Sequence, residues 1–188
     1  MIAAEALAVA AARLQAAGIE AAAGDARMKT AADPDGRLVL GTHDNCNGGV
    51  TPWGTFLSGE EGSSDFFGGT IAGLPDETLL ARYHYSGMKP HGEFGWPRID
   101  ARFDVQSEPN EPNRFEWVVE LDPLDPSAPP VKRTALGRFA HEGAHCVICP
   151  DGRVAVYLGD DWEFEYCYRF VTTGRYDPVN RAANRDLL

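Results

Sequence analysis

The chain has 188 residues, and its 28 acidic against 17 basic side chains give a formal net charge of −11. This acidity argues against nucleic acid or an anionic membrane surface as a partner. The length predicts one domain with a substantial core, and four cysteines (Cys46, Cys146, Cys149 and Cys167) show no regular disulfide framework.

Residues 1–23, MIAAEALAVAAARLQAAGIEAAA, predict an Ala-rich helix that precedes the main domain. No charged leader stands before an apolar core and no twin-arginine pair occurs, so we expect neither a secretion signal nor a membrane span here. The rest of the chain, residues 24–188, is predicted to form one mainly β domain.

From Asp25 to about Asp104 the pattern indicates short strands and long Gly-rich loops. The run NCNGGVTPWGT followed by FLSGEE places the thiol of Cys46 near the carboxylates of Glu60 and Glu61. A soft thiolate beside hard carboxylates suits a metal site of iron or mixed type. A surface turn with one buried free cysteine is the plainer alternative.

Glu60 and Glu61 would point to opposite faces of an extended segment, so only one of them can address a given ion directly. We favour Glu61 as the ligand and Glu60 as a structural residue.

From Val105 to Asp177 the runs FEWVVELD, GRVAVYLGD and FEYCYRFVT predict strands. Two Pro-Asp-Gly turns, at 34–36 and 150–152, are each expected to lead into a strand, as in a propeller blade. Asp160 and Asp161 end a strand that is predicted to be buried. They are candidate calcium ligands, with a plain strand-end turn as the alternative.

The segment His141 to His145 spells H-E-x-x-H, the signature of zinc peptidases. That chemistry requires a helix, expected here over residues 138–149, so that both histidines share one face. Gly143 and the nearby Pro-Asp-Gly turn favour extended chain, and the zinc peptidase is kept as a minor alternative.

Four blocks of the chain resemble the PhoX-type alkaline phosphatases, a family of secreted bacterial phosphomonoesterases. Their order and spacing match the family pattern. The resemblance implies a hydrolase of organic phosphate esters and part of a six-bladed β-propeller-like fold, of which this chain covers an internal portion. The blocks are KTAADPDGRLVLGT, NCNGGVTPWGT with the Glu60-Glu61 pair, residues 111–144, and residues 151–178.

The resemblance also implies a cofactor of iron and calcium ions, with Cys46, Glu61 and Glu142 as ligands. Asp160 is kept as a further metal candidate. Glu142 is expected to take part in catalysis, and Arg138 is a candidate because a cation near residue 142 would attract phosphate.

We expect Trp53, Glu60 and Asn45 to support the ligands from behind, with Trp53 packing the cysteine loop. The resemblance implies a periplasmic or secreted protein with a phosphate monoester as substrate. The alternative is a catalytically silent propeller fragment that needs a further segment or partner to complete its fold.

Overall fold

The structure is a computed structural model that describes residues 24–72, 74 and 76–188. The predicted Ala-rich helix of residues 1–23 lies outside the described residues. The described chain is mainly β, as predicted, with one antiparallel sheet of four strands and one of three. The strands are β1 (Asn45–Val50), β2 (Phe56–Glu60), β3 (Val118–Leu121), β4 (Val131–Lys132), β5 (His145–Ile148), β6 (Arg153–Gly159) and β7 (Cys167–Arg175).

The first sheet has the order β1-β2-β3-β4, and β1 and β2 form a hairpin. Its turn contains Gly54, whose φ of 84° suits glycine, and it is closed by the Thr55 amide donating to the Thr51 hydroxyl at 3.0 Å. Asn45 lies opposite Glu60 at the other end. Cys46 and Glu61 therefore lie at the open end of the hairpin, away from the turn.

The second sheet has the order β5-β6-β7. The Pro-Asp-Gly turn at 150–152 joins β5 to β6, with the Cys149 amide donating to the Arg153 carbonyl at 2.7 Å. The predicted strand after this turn is confirmed, as are those in FEWVVELD and FEYCYRFVT. The turn at 34–36 is followed only by a single bridge residue, Leu38, so the strand predicted there is wrong.

Two helices, α1 (Ser63–Phe66) and α2 (Glu77–Tyr85), lie in the long connection between β2 and β3. Asp76 caps α2, because its carboxylate accepts from the Thr78 amide at 2.8 Å. No described helix is long and apolar enough to cross a membrane. Short 3-10 segments are Ala26–Met28, Trp96–Arg98, Ala101–Phe103, Glu111–Arg114, Thr134–Leu136 and Arg181–Asn184.

Buried apolar side chains of the described residues form two cores. The first lies beneath the helices and is mostly aromatic, with Phe67, Tyr83, Phe103, Phe115 and Trp117 among its members. The second lies between the sheets and includes Trp53, Leu57, Val118, Val154, Val156 and Leu158. The second core holds the β1–β2 hairpin against the β5–β7 sheet, which brings residues 140–144 beside the hairpin.

Both sheets are open along the part of the chain that the structure describes. The mainly β class is thus confirmed, whereas the propeller arrangement stays a prediction.

Candidate metal centre

Three potential metal ligands meet at the open end of the hairpin. The Sγ atom of Cys46 and one carboxylate oxygen each of Glu61 and Glu142 all lie within 4.8 Å of one another. Cys46 belongs to β1, Glu61 directly follows β2, and Glu142 lies between the bridge residue His141 and β5. The structure therefore brings together the three residues that the sequence singled out as ligands.

Strand pairing places the first two of these side chains. Asn45 pairs with Glu60, and the Glu61 amide donates to the Asp44 carbonyl at 3.4 Å, which sets Cys46 and Glu61 side by side. Alternation then separates the two glutamates, because neighbouring residues of a strand face opposite sides. Glu60 is 0% exposed, and Glu61 is half-buried at the site.

Close backbone approach brings the third side chain in. The His141 amide donates to the Glu60 carbonyl at 3.1 Å, and the Glu142 amide donates to the Gly159 carbonyl at 3.1 Å. A Cβ atom at Gly59 would lie 2.6 Å from the Cβ of His141, and one at Gly49 would lie 2.1 Å from the Ala144 carbonyl oxygen. Glycine at these two positions is therefore what lets residues 141–144 lie against the hairpin.

The site concentrates negative charge. The Asn47 amide lowers the pKa of Cys46, but burial and the charges of Glu61 and Glu142 outweigh it and leave that pKa raised. The pKa of Glu61 is also raised, chiefly by burial and further by Asp161, Asp44 and Glu142. These acidic groups repel one another, and a bound cation would remove the repulsion. The donor set and its charge both fit a metal ion.

Two further carboxylates, Asp44 and Asp161, act on this site. Asp44 adopts φ 42° immediately before β1, in the left-handed region that Asp tolerates better than most residues. Asp44 was not predicted as a site residue, although its position two residues before Cys46 was a usable signal. Asp160 and Asp161 are both predicted as candidate calcium ligands. Of these two, Asp161 is the one whose charge raises the pKa of Glu61.

Asp160 faces a different environment from Asp161. Its pKa is raised first by burial and also by Glu165 and Glu116, and its carboxylate accepts from the Trp162 amide at 3.2 Å. Since adjacent residues of extended chain point opposite ways, Asp160 points away from the three potential ligands. The geometry therefore favours Asp161 over Asp160 as an additional ligand.

Glu60 connects the segments that carry the potential ligands. Its carboxylate accepts from Lys132 Nζ at 2.7 and 2.9 Å, from the Thr42 hydroxyl at 2.6 Å and from the Trp117 amide at 3.1 Å. Burial lowers the pKa of Lys132, and the charge of Glu60 partly offsets this. Glu60 thus links β4 to Thr42, which leads into β1, and its support of the site stays a prediction.

Arg138 is held by the main chain and by one carboxylate. It donates to the carbonyls of Phe115 and Pro112, both at 2.9 Å, and pairs with Glu116 at 2.7 Å. Its guanidinium is thereby directed at residues 112–116, on the Asp160 side. A role in binding phosphate stays a prediction.

Trp53 and Asn45 lie at opposite ends of the hairpin. Trp53 is in the turn, where its Nε1 donates to Glu120 at 2.9 Å, so it stabilises the closed end. Asn45 lies at the open end and accepts from the Thr42 hydroxyl at 2.9 Å, next to Cys46. Of the two, Asn45 has the position expected of a residue that supports the site directly.

The zinc-peptidase alternative is wrong. Residues 138–149 contain an isolated bridge at His141, an irregular segment and β5, in place of the helix that this chemistry needs. His141 is fully buried, and its Nε2 lies 3.0 Å from the Gly137 carbonyl oxygen.

Comparison with known proteins agrees with the predicted resemblance. The family model described as alkaline phosphatase PhoX matches residues 9–188. A solved structure, Pseudomonas fluorescens PhoX in complex with vanadate, a transition state analogue, is 46% identical with a TM-score of 0.84; the match covers 91% of this chain and 29% of that one. A search of curated protein sequences gave no match. The chain thus spans under a third of that relative, and it belongs to the PhoX alkaline phosphatase family.

Proposed function

We propose that the chain carries part of the metal centre of a phosphomonoesterase that hydrolyses organic phosphate esters. The observation that supports this most directly is the meeting of Cys46, Glu61 and Glu142 within 4.8 Å. Family membership and the similarity to a PhoX structure that holds a transition state analogue support the reaction class.

The proposed cofactor is a cluster of iron and calcium ions. The Cys46 thiolate favours iron, the softer metal, and the carboxylates of Glu61 and Glu142 suit both iron and calcium. Asp161 is a further candidate ligand. Such cations, when bound, neutralise charge on a phosphoryl group and help to activate a nucleophile. The chain itself holds the ligand side chains at the ends of strands, which are rigid. Glu60 and Asn45 help to orient these side chains.

The same proposal places the protein in the periplasm or outside the cell, as is general in the family. Glu142 is assigned to the catalytic centre as a ligand beside the substrate. Arg138 is a weaker candidate for binding phosphate, since Glu116 already neutralises it.

A second candidate is a propeller fragment that is inactive until a further segment or partner completes it. The three-stranded sheet exposes Val147 and Ile148 of β5, Tyr157 of β6 and Tyr168 of β7, by 41%, 48%, 42% and 39%. Val147 and Tyr157 lie on the face opposite the core, and Ile148 and Tyr168 lie at the edges of the core face, so the second candidate rests mainly on the open edges of the sheet, which invite association. The match to 29% of the solved relative supports the same view.

One experiment separates the candidates. The purified chain, produced with iron and calcium in the medium, is analysed for bound metals and for hydrolysis of p-nitrophenyl phosphate with and without a chelator. The leading proposal expects bound iron and chelator-sensitive hydrolysis, both lost in Cys46→Ala. Cys167→Ala, which removes another exposed thiol on β7, is the matched control and should change neither.

Bound iron without hydrolysis would support the second candidate. Absence of iron, together with no effect of Cys46→Ala on any metal, would contradict the metal centre itself.

A further inference from the structure

A cavity of about 670 Å³ opens between α2 and β7. It is also bounded by the 3-10 segment Ala26–Met28 and by residues 135–139, so it lies where the helical core meets the second sheet. Its volume falls within the range of small-molecule binding sites, which commonly occur at such junctions.

The cavity is separate from the candidate metal centre. Asp160 lines the cavity, whereas the charge of the next residue, Asp161, acts on Glu61. Since the two aspartates point to opposite sides of one extended segment, that segment divides the cavity from the metal centre. A ligand in the cavity would not share the proposed ions.

One wall of the cavity is basic, and one of its arginines has no direct carboxylate partner among the described residues. Arg27 pairs with Asp25 at 3.0 Å and Arg138 pairs with Glu116 at 2.7 Å. Arg82 lies with them, and its Nη1 donates to the Asn113 side chain at 3.0 Å. Within residues 24–72, 74 and 76–188, no carboxylate lies within 4.0 Å of its guanidinium. Arg82 is therefore a half-buried cation with only a neutral partner.

This arrangement costs free energy that an anion would recover. Burial lowers the pKa of Arg82, the positive charges of Arg138 and Arg27 lower it further, and the charge of Glu116 offsets only part of this. A guanidinium that is partly removed from water, close to two others, is stabilised by a carboxylate or similar oxyanion through charge-assisted hydrogen bonds. The basic wall thus favours one anionic group at Arg82.

The neighbouring wall is aromatic. Tyr85 follows Arg82 by three residues on α2, so the two side chains share a helix face, and the Tyr85 ring lies 5.8 Å from that of Trp162. Phe139 and Tyr168 form a second ring pair 4.7 Å apart on the same cavity. These surfaces suit a flat apolar body attached to the anion.

The far rim limits the charge of the ligand. Asp160 and Glu165 line it, and Glu165 accepts from the Tyr85 hydroxyl at 2.7 Å. Arg169 of β7 also lines the cavity, but the two carboxylates at this end still disfavour a second negative group. The walls together specify one negative charge at one end and an uncharged aromatic body at the other.

We propose that this cavity binds a small aromatic carboxylate, with its carboxylate on Arg82 and its ring beside Tyr85 and Trp162. The site goes beyond the proposed phosphatase function and does not depend on it. Ligands of this class would bind in the presence or absence of metal at the Cys46 site.

Benzoate is the probe. It is titrated into the purified chain by calorimetry, with tryptophan fluorescence as a second signal, and saturable binding is expected with a Kd of about 1 mM or tighter. Benzamide, which has the same ring without the charge, and the cation benzamidine should bind at least about 10-fold more weakly. Trp162→Phe should reduce the fluorescence change, because its indole lies beside the proposed position of the ring.

Arg82→Gln should weaken benzoate binding by about 10-fold or more, because the charge-assisted hydrogen bonds are lost. The exposed Arg98 does not line the cavity, so Arg98→Gln is the matched control and should bind like the parent chain. Arg82→Lys keeps the charge without the planar fork and should give an intermediate Kd.

Folding of each variant is checked by its thermal transition, and Arg82→Gln should not lower it, since a cation with no direct carboxylate partner among the described residues is removed. No saturable binding of benzoate, or equal binding by Arg82→Gln and the parent chain, would overturn the proposal. Equal binding of benzamide would overturn it as well, because the basic wall would then play no part.

Discussion

Each end of the β1–β2 hairpin is fixed by a buried ion pair, and the two pairs use consecutive residues of the chain. At the open end Lys132, 2% exposed, binds Glu60, which is 0% exposed. At the closed end Arg133 binds Glu120 at 2.6 Å, with side chains 3% and 5% exposed. In both, a buried carboxylate accepts hydrogen bonds from a cation and from neighbouring loops.

The difference lies in what the two carboxylates hold. Glu120 accepts from Trp53 and from the Thr55 hydroxyl, so it fixes a turn. Glu60 accepts from Thr42 and directly precedes Glu61, so it fixes two segments that carry potential metal ligands. The same kind of buried pair stabilises structure at one end and positions a candidate site at the other.

Lys132→Met should be the most destabilising change, because it leaves the Glu60 carboxylate buried without its cation. We expect a loss of about 3–5 kcal/mol in the free energy of unfolding, measured by urea denaturation. The double variant Lys132→Met with Glu60→Met should recover much of that stability, since neither partner is left as an unpaired buried charge, but not the metal content. Recovery of both would mean that Glu60 does not position the site.

Glu120→Gln tests the closed end. It keeps the shape of the side chain but removes the charge that faces Arg133, and we expect a loss of about 1.5–3 kcal/mol. Metal content should stay at the parent level, because this pair lies at the far end of the hairpin. If the metal is lost as well, the two ends are not functionally distinct.

Acid should destabilise the folded chain at the open end of the hairpin through His43. Its ring stacks between those of Phe66 and Phe115, at centroid distances of 4.5 and 4.4 Å. Burial, aided by the charge of Lys132, holds the pKa of His43 well below its usual range. The unfolded chain therefore takes up a proton at a higher pH than the folded chain does. Stability should fall as the pH drops below about 6.5, with a slope of at most about 1.4 kcal/mol per pH unit from this group.

The test of this pH dependence is urea denaturation between neutral pH and mild acid. His43→Gln should reduce the slope, and His141, whose burial lowers its pKa to about 4, should supply the remainder. His84→Gln replaces an exposed histidine of α2 and serves as the matched control with an unchanged slope. An unaltered slope in His43→Gln would contradict the assignment.

Glu61→Gln should have the smallest effect on stability, and in the opposite direction. The charge of Glu61 is opposed by Asp161, Asp44 and Glu142, so its removal should stabilise the metal-free chain by about 0.5 kcal/mol at neutral pH. Metal affinity should nevertheless fall, since a ligand is lost. A variant that is less stable without metal would argue that Glu61 has a structural role like that of Glu60.

Much of the site could be predicted from local patterns. Alternation along β2 separates Glu60 from Glu61, and the Gly-rich run marks Cys46 as a residue outside the core. The strands β3, β6 and β7 follow from their apolar runs. These predictions depend on near neighbours in the chain, and that information is present in the sequence.

Other features required long-range contacts. Whether Asp160 is a ligand depends on the direction of its side chain at the end of β6. Whether Trp53 supports the cysteine loop depends on which end of the hairpin it occupies. The cation at Arg138 looked available in sequence, but the folded chain places Glu116 against it at 2.7 Å. Local pattern does not specify such partners.

By itself, the sequence determined the family, the mainly β class and the residue types suited to a metal site. Only the tertiary structure decided that Glu142 meets Cys46 and Glu61, and that Arg82 faces a cavity without a carboxylate partner among the described residues. The physical reason is that the meeting depends on backbone packing at Gly49 and Gly59, where a side chain would collide with residues about 80 to 95 positions away along the chain.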